Sequence, residues 1–562
     1  MSATIRAALA GILAVSAAAC SADSGVTEGS AIEVVSGSSA PVPGSDPASA
    51  PSPATTDDTS GPTLPGTTLP TPPASTAPET GPSDTDPPVE PEPPETAPAG
   101  TGPATSDGPT GTGTIPAPGP GSDPDGLGDA LYPELGNPGI DVQDYHVRLS
   151  WDRATEELTG SVTLTIVLLD DRDEITLDSA GPDVDAVTVD GSPAEFVEED
   201  VELRITPDAG FAAGDEVEVV VEYHESSPAS YASSGVLGAG WFNSEGGSYV
   251  LNEPDGARTW LPSNDHPADK ATWTFEITVP SRVTAVANGE LVSTSPGPKG
   301  DTWVWRQDEP MATYLIQLLT GDYELIEGTG PDGLPLLSAV LRSDTDVMQV
   351  YIDTIPEQMD FLDDFFGPFP LDHYGLAMTD SFPGLAMETQ GRSLFSRDDF
   401  SSGTLGYVEQ LLLSHELAHQ WFGNAVTLGR WQDIWLNEGF ATYGEWLWLD
   451  HVGLADLDAQ AQSALMGRQT SSRSPAAPSA DDLFGFETYQ GGATVLHALR
   501  GTVGDDLFFE ILRRWAADHD GTSRVTEDFV ELAEQVAGRD LTRLFDDWLH
   551  AVRPPTSYPT RD

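Results

Sequence analysis

The chain has 562 residues, and its 24 lysines and arginines against 91 aspartates and glutamates give a formal net charge of -67 at pH 7. This length is sufficient for two or more packed domains, because single hydrophobic cores stop growing at roughly 250 to 300 residues. The acidic excess excludes nucleic acid as a partner and opposes binding to anionic lipid surfaces.

The N-terminal segment, residues 1–19, has the features of a secretory signal peptide. It carries one early positive charge at Arg6, an apolar run from Ala7 to Val15 and small residues before Cys20. Such a run directs export but is too short for a lasting transmembrane helix. Cys20 is the only cysteine in the chain. No intramolecular disulfide can therefore form.

Cys20 follows three alanines and resembles the lipobox cysteine of bacterial lipoproteins. The resemblance implies that Cys20 is lipidated and that the protein is anchored, through lipid alone, at the extracellular face of the cell membrane. The alternative is ordinary cleavage after Ala19 and full release. Both alternatives export the protein.

Residues 20–128 consist mostly of Pro, Ser, Thr, Gly and Asp, as in "PTLPGTTLPTPPASTAPETGPSDTDPPVEPEPPE". A segment of this composition cannot bury enough apolar surface to offset the entropy lost on ordering. We therefore predict a disordered stalk between the signal peptide and a folded body.

The folded body is predicted to begin with an all-β domain over residues 129–325. Its short alternating segments include "YHVRLSW", "GSVTLTIVLL" and "TWTFEITVP", separated by turn residues. Helical periodicity dominates residues 326–562, for example in "VMQVYIDTIPEQMDFLDDFF" and "TEDFVELAEQVAG". In the last segment Thr526 is the predicted N-cap and Gly538 the predicted stop. The fold class is therefore multidomain α+β, a β domain followed by a mainly helical one.

The segment "VEQLLLSHELAHQWFGN" places two histidines on one face of a predicted helix. His415 and His419 are four residues apart, so both imidazoles can reach the same ion. Glu416 projects beside them without being a ligand, which is the place of a general base near a zinc-activated water. Catalytic zinc sites commonly take a third protein ligand and leave one position open. The sequence therefore predicts one Zn²⁺ per chain.

The third ligand is predicted from the next helical segment, "WQDIWLNEGFATYGEWLW". Glu438 follows His419 after a helix end, a loop and the start of a return helix, so its carboxylate can complete a His₂Glu set. With "HELAHQWFGN" followed by "WLNEGFA", the chain resembles the aminopeptidase N family of gluzincin zinc peptidases from about Tyr132 to its end. The resemblance implies a β-saddle N-terminal domain, a thermolysin-like catalytic domain and peptide substrates with a free N-terminus.

Two further glutamates are implicated by this resemblance. "GLAMET" is similar to the exopeptidase motif of the family, usually Gly-Ala-Met-Glu-Asn on an edge strand, and its glutamate falls on Glu388. A carboxylate there would bind the protonated amine of a peptide. Leu385 and Thr389 depart from the family's glycine and asparagine. Glu253, in "NEP", matches a second amine-binding position, beside Leu251 where a glutamine is often found.

Tyr489, in "ETYQGGATVLHALR", matches the family's tyrosine that donates a hydrogen bond to the oxyanion of the tetrahedral intermediate. Together these residues predict a secreted zinc aminopeptidase that cleaves the first peptide bond. The chain stops after "LFDDWLHAVRPP", without the large C-terminal helical domain of many relatives, so we expect an open cleft that admits longer peptides.

The sequence leaves three alternatives to aminopeptidase activity. The chain could be a hydrolase resembling leukotriene hydrolase, a thermolysin-like endopeptidase, or a surface binding protein on a peptidase scaffold. Glu388 argues against the endopeptidase, since an amine-binding carboxylate rejects internal peptide segments. A decayed scaffold would have lost a ligand or the base, whereas the chain keeps all of His415, Glu416, His419, Glu438 and Tyr489.

Overall fold

The computed structural model describes residues 126–560 except 233–237, 382–383 and 385. Cys20, the signal peptide, nearly all of the predicted stalk and Leu385 lie outside the described residues. The strands of the described part are β1 (Ile140–Asp152), β2 (Glu157–Leu168), β3 (Ile175–Asp178), β4 (Asp183–Val189), β5 (Ser192–Pro193), β6 (Glu195–Glu199), β7 (Glu202–Thr206), β8 (Glu216–Ser226), β9 (Ser230–Ala232), β10 (Gly238–Asn243), β11 (Gly247–Leu251), β12 (Lys270–Val279), β13 (Thr284–Ala287), β14 (Glu290–Gly297), β15 (Gly300–Ala312), β16 (Leu318–Gly321), β17 (Tyr323–Thr329), β18 (Pro335–Leu341), β19 (Leu376–Thr379), β20 (Ala386–Met387), β21 (Ser393–Ser396), β22 (Val426–Leu428) and β23 (Thr522–Arg524).

The first half of the described chain is built from three β-sheets. An eight-stranded sheet has the order β14-β15-β12-β1-β2-β8-β4-β5, a five-stranded sheet the order β13-β16-β11-β10-β9, and a three-stranded sheet the order β3-β7-β6. In β1, Val147, Leu149 and Trp151 are buried while the residues between them are more exposed, as the sequence alternation predicts. Inward residues of all three sheets belong to one hydrophobic core.

The second half is mainly helical and contains a mixed sheet in the order β17-β18-β19-β21-β20. Its helices are α1 (Thr345–Ile352), α2 (Ile355–Phe366), α3 (Tyr407–Ala418), α4 (Trp435–His451), α5 (Leu457–Arg468), α6 (Gly492–Val503), α7 (Asp505–Asp518), α8 (Thr526–Ala537) and α9 (Thr542–Phe545). A β-rich part followed by a mainly helical part confirms the predicted fold class. Within the described ranges, every helix is too short or too polar to cross a bilayer.

The start of α8 differs by one residue from the prediction. Thr526 is the first residue of the helix, and Val525 holds the cap position. The Thr526 hydroxyl is engaged elsewhere, because it donates to Asp433 Oδ1 at 2.7 Å and accepts from Trp435 Nε1 at 2.9 Å. Gly538 ends the helix with φ of 64°, a left-handed conformation that glycine adopts without strain, so the predicted stop is confirmed.

The β-rich part contacts the turn that follows α3. Lys270 Nζ donates to the carbonyl oxygens of Asn424 at 2.7 Å and Ala425 at 3.0 Å. Tyr314 Oη donates to the carbonyl oxygen of Gly423 at 3.0 Å. Because these carbonyls come just after His419, the first half of the molecule helps to fix the end of the histidine-bearing helix.

The loop between β11 and β12, which begins at Asn252, is held by buried polar groups. Trp260 Nε1 donates to Asn252 Oδ1 at 3.0 Å, and Thr313 Oγ1 donates to Asp265 Oδ1 at 2.6 Å. Burial raises the pKa of Asp265 to about 6, although the hydrogen bonds it accepts act in the opposite direction. This buried network gives a rigid base to the loop segment that carries Glu253.

Candidate active site and metal centre

Helices α3 and α4 bring His415, His419 and Glu438 to one point. His415 lies in the last turn of α3, His419 follows the end of that helix, and Glu438 lies in the first turn of α4. The two Nε2 atoms are 3.1 Å apart, and Glu438 Oε2 is 3.2 Å from His415 Nε2 and 3.4 Å from His419 Nε2. All three side chains are at least nine-tenths buried.

This triangle of two nitrogens and one oxygen fits a tetrahedral zinc ion. Ligand atoms placed about 2.0 to 2.1 Å from a tetrahedral centre lie about 3.3 Å from one another. The observed separations of 3.1 to 3.4 Å match that spacing. Without a shared cation, three buried acceptor groups at this distance would repel one another or require protons between them. The donor set therefore fits Zn²⁺, and all three side chains line the same cavity.

Each ligating imidazole has a second partner that fixes its orientation. His419 Nδ1 donates to the Phe422 carbonyl oxygen at 3.1 Å, and His415 Nδ1 lies 3.4 Å from Glu445 Oε2. Glu445 is buried, and its role was not predicted from the sequence. The signal was present, because Glu445 is seven residues after Glu438 and so lies two turns further along the same face of α4.

We expect Glu445→Gln to weaken zinc affinity about 10- to 100-fold while the fold is retained, because outer carboxylates raise the basicity of ligating histidines. Competition with a chromophoric chelator measures the affinity. Glu409→Gln provides the control, since Glu409 lies at the other end of α3 and bonds the Gly406 backbone. Equal zinc affinity in Glu445→Gln and the wild type would contradict the assigned role.

Glu416 lies beside the triangle but outside it. One of its oxygens, with one from Glu388 and a nitrogen of His419, forms a group whose atoms lie within 4.8 Å of one another. Its Oε2 is buried and has no hydrogen-bond partner among the described residues. Burial raises the pKa of Glu416 to about 8, against the opposing effect of His415 and His419. A cation bound by the neighbouring triangle would favour the ionised form of Glu416, and a carboxylate with an unpaired oxygen in this position can then accept a proton from water.

Glu388 directly follows β20, an edge strand of the mixed sheet. Its backbone oxygen accepts from Asn424 Nδ2 at 2.7 Å and Gln420 Nε2 at 3.3 Å. Gln420 also donates to the Glu416 carbonyl at 3.1 Å, so it joins the edge strand to α3. The positioning roles of Gln420 and Asn424 were not predicted from the sequence, although both residues belong to the "HELAHQWFGN" motif.

Glu253 reaches the same cavity from the β-rich part of the molecule. Oxygens of Glu253, Glu388 and Glu438 lie within 4.8 Å of one another. Burial, and then the neighbouring Glu388, raise the pKa of Glu253 well above its ordinary value. Among the described residues, the cavity is lined by four glutamates and by no lysine or arginine. Its electrostatic field therefore favours cations, a metal ion and an ammonium group included.

Tyr489 completes the polar side of the cavity. Its ring lies over His415 with centroids 5.8 Å apart and planes 20° from parallel. Burial, together with Glu438 and Glu253, raises the pKa of Tyr489 well above its ordinary value, so the hydroxyl keeps its proton and can donate a hydrogen bond. The structure thus places Tyr489 beside the three metal-ligand candidates.

The cavity has a volume of about 50 Å³. Its apolar lining includes Leu251, Met387 and Phe484. Thr389, which replaces the family's asparagine, is not part of this lining. Gln317 Nε2 donates to its hydroxyl at 2.9 Å, and the hydroxyl donates to the Arg392 carbonyl at 2.5 Å. The substitution therefore acts within the interior rather than on the cavity wall.

Comparison with known proteins gives two adjacent family matches. Residues 142–315 match the Peptidase M1 N-terminal domain, and residues 351–548 match the Peptidase family M1 domain. The chain is 25% identical over 441 residues to Aminopeptidase M1 of Arabidopsis thaliana, covering 72% of this chain and 49% of that protein. It is 25% identical over 435 residues to Tricorn protease-interacting factor F2 of Thermoplasma acidophilum, covering 74% and 53%. The chain thus spans about half the length of these relatives.

Solved structures also match, and the alignments cover the whole of each solved chain. The M1 zinc metallopeptidase from Deinococcus radiodurans has a TM-score of 0.71 and 31% identity, and the alignment covers 78% of this chain and 100% of that one. A mutant of that enzyme bound to a Tyr-Ser-Ala substrate matches with a TM-score of 0.70 and 30% identity, covering 78% and 100%. With both family domains matched in order and a whole-length structural relative, the chain belongs to the M1 family of zinc metallopeptidases.

Proposed function

We propose that the chain is an exported, zinc-dependent aminopeptidase that releases N-terminal residues from peptides. The observation that carries this proposal is the group of carboxylates beside the metal triangle. Glu388 and Glu253 extend the negative surface away from Glu438, with their oxygens within 4.8 Å of its carboxylate. A peptide whose ammonium group occupies this position has its first peptide bond next to the triangle, whereas an internal segment offers no cation.

The proposed chemistry follows from the position of each side chain. Bound Zn²⁺, held by His415, His419 and Glu438, supplies a Lewis acid that polarises the scissile carbonyl and lowers the pKa of water to about 7. Glu416 accepts a proton from the attacking water at its unpaired Oε2 and then delivers it to the departing amine. The Tyr489 hydroxyl donates a hydrogen bond to the oxyanion that develops on the carbonyl oxygen.

A panel of aminoacyl fluorogenic amides, each paired with its N-acetylated form, tests the proposal. We expect hydrolysis of the free-amine substrates, loss of hydrolysis with a chelator, and recovery with one equivalent of zinc. The N-acetylated forms should react at least about 100-fold more slowly, because acetylation removes the charge that Glu388 and Glu253 are proposed to bind. Equal cleavage of both forms would indicate an endopeptidase, and no cleavage by the zinc-loaded protein would indicate a binding protein.

The proposed location is the extracellular face of the cell membrane, with the chain anchored through a lipid on Cys20. This proposal rests on the signal-like segment and on the three alanines before Cys20. The mass of the mature N-terminal peptide tests it. An acylated peptide beginning at Cys20 is expected, whereas an unmodified peptide recovered from the medium would show that the chain is released.

A further inference from the structure

Tyr489 lies in a single π-helical turn, Glu487–Gly491, directly before α6. The turn is closed by a hydrogen bond from the Gly491 amide to the Phe486 carbonyl five residues earlier, at 3.0 Å. A π-turn is wider and rarer than an α-helical turn and is seldom stable without external contacts. The position of the Tyr489 hydroxyl therefore depends on the groups that hold the two ends of this turn.

The C-terminal end of the turn is fixed by backbone contact with α4. Gly492 lies against Gly439, and a Cβ atom added to Gly492 would be only 2.8 Å from the Gly439 Cα. Gly439 directly follows the metal-ligand candidate Glu438. In addition, Thr494 Oγ1 donates to the Gly491 carbonyl at 2.6 Å. These contacts therefore fix the C-terminal end of the turn relative to Glu438 in α4.

The N-terminal end of the turn is held by an ion pair. Glu487 Oε2 lies 2.9 Å from Nε of Arg468, the last residue of α5. The Arg468 side chain is fully buried, and the Glu487 side chain is 12% exposed. The contact is a charge contact rather than a hydrogen bond, because Nε of Arg468 has no hydrogen-bond partner among the described residues. The position of the buried guanidinium is therefore set by this ion pair together with the acceptors around its two Nη atoms.

The two Nη atoms of Arg468 contact the C-terminal segment and the start of α6. Nη1 donates to the Trp548 carbonyl at 2.7 Å, and Nη2 donates to the Ala551 carbonyl at 2.9 Å. Nη1 also donates to Thr494 Oγ1 at 3.3 Å. One planar guanidinium therefore joins the segment Trp548–Ala551, the start of α6 and the turn that carries Tyr489.

We propose that Arg468 is a positioning residue for Tyr489, and that the segment Trp548–Ala551 thereby takes part in placing the oxyanion donor. The proposal deepens the aminopeptidase function and rests on it. Arg468 is not among the residues that line the cavity. Its effect on the reaction must pass through the Glu487–Gly491 turn. Since the Tyr489 hydrogen bond is formed to charge that develops in the transition state, displacement of Tyr489 should lower kcat more than it alters KM.

The test is a double-mutant cycle between Arg468→Lys and Tyr489→Phe. Lysine keeps the charge but cannot reproduce the planar fork that contacts three segments. In the wild-type background, we expect Arg468→Lys to lower kcat about 10-fold with KM changed less than about twofold. In the Tyr489→Phe background, the same substitution should lower kcat less than about twofold, because the group that Arg468 positions is already absent.

Binding of inhibitors gives a readout that does not depend on turnover. Arg468→Lys should weaken binding of a phosphinic dipeptide, whose tetrahedral oxyanion imitates the transition state, about 10-fold. Binding of free leucine, which has no such oxyanion, should be unchanged. Arg473→Lys is the matched control, because Arg473 forms a more exposed ion pair with Asp482 at 2.9 Å and should leave both affinities unaltered.

The outcomes separate this inference from the proposed function. Equal kcat losses in the two backgrounds, or equal weakening of both inhibitors, would overturn the role of Arg468 while leaving the aminopeptidase intact. An inactive zinc-loaded wild type would refute the proposed function itself. If Arg468→Lys does not fold, Glu487→Gln decides the question, since it removes the same ion pair at a partly exposed position. Additive behaviour of Glu487→Gln with Tyr489→Phe would then overturn the proposal.

Discussion

Replacement of Glu416 by glutamine is expected to lower kcat about 10³- to 10⁴-fold without loss of bound zinc. Glutamine has nearly the same shape as glutamate but cannot accept the proton of the attacking water. The metal triangle is formed by His415, His419 and Glu438, so zinc binding does not require the Glu416 carboxylate. Steady-state kinetics on a free-amine substrate, with metal analysis of the same sample, measures both quantities.

Glu409→Gln is the matched control for this experiment, because it makes the same chemical change on the same helix, away from the cavity. Its kcat should remain within about twofold of the wild type, with a small loss of stability from the hydrogen bond to the Gly406 amide. If Glu416→Gln keeps full activity, a different group accepts the proton. If it loses zinc, Glu416 belongs to the metal site rather than to proton transfer.

The metal centre could be predicted because its candidate ligands lie close together in the sequence. His415 and His419 share a helix face through four-residue spacing, and Glu438 follows in the next helix, so elementary geometry brings them together. The proximity of Glu253 and Glu388 to this centre could not be predicted from sequence spacing. They come from a loop of the β-rich part and an edge strand of the other part, and no periodicity relates them. Only the family resemblance placed both beside the zinc ligands.

The mixed sheet of the catalytic part was not predicted from the sequence. Strands β19 and β21 have four residues each, and every one of these residues is buried. A short strand buried on both faces lacks the alternation of apolar and polar residues that identifies a half-exposed strand. The ion pair between Arg468 and Glu487 was not predicted either, because it depends on how α5 packs against the turn before α6.

Replacement of Glu388 by glutamine is expected to lower kcat/KM for free-amine substrates about 10- to 150-fold, mainly through a higher KM. The estimate corresponds to a hydrogen bond to a charged group, worth about 1.5 to 3 kcal/mol. Glu388 Oε1 is buried and has no hydrogen-bond partner among the described residues, so the carboxylate is available to an ammonium group. Glutamine keeps the shape but removes the negative charge that would attract that cation.

The decisive quantity for Glu388 is the ratio of kcat/KM between a free-amine substrate and its N-acetylated form. Loss of charge at Glu388 should reduce this ratio by about 10- to 150-fold, the same factor as for kcat/KM of the free-amine substrate. The N-acetylated form has no ammonium group, so its kcat/KM should not change. Glu253→Gln should reduce the ratio less, since Glu253 is more exposed than Glu388. Glu327→Gln, on the exposed part of β17, should leave the ratio unchanged. An unaltered ratio in Glu388→Gln would show that selection for a free N-terminus comes from another part of the cleft.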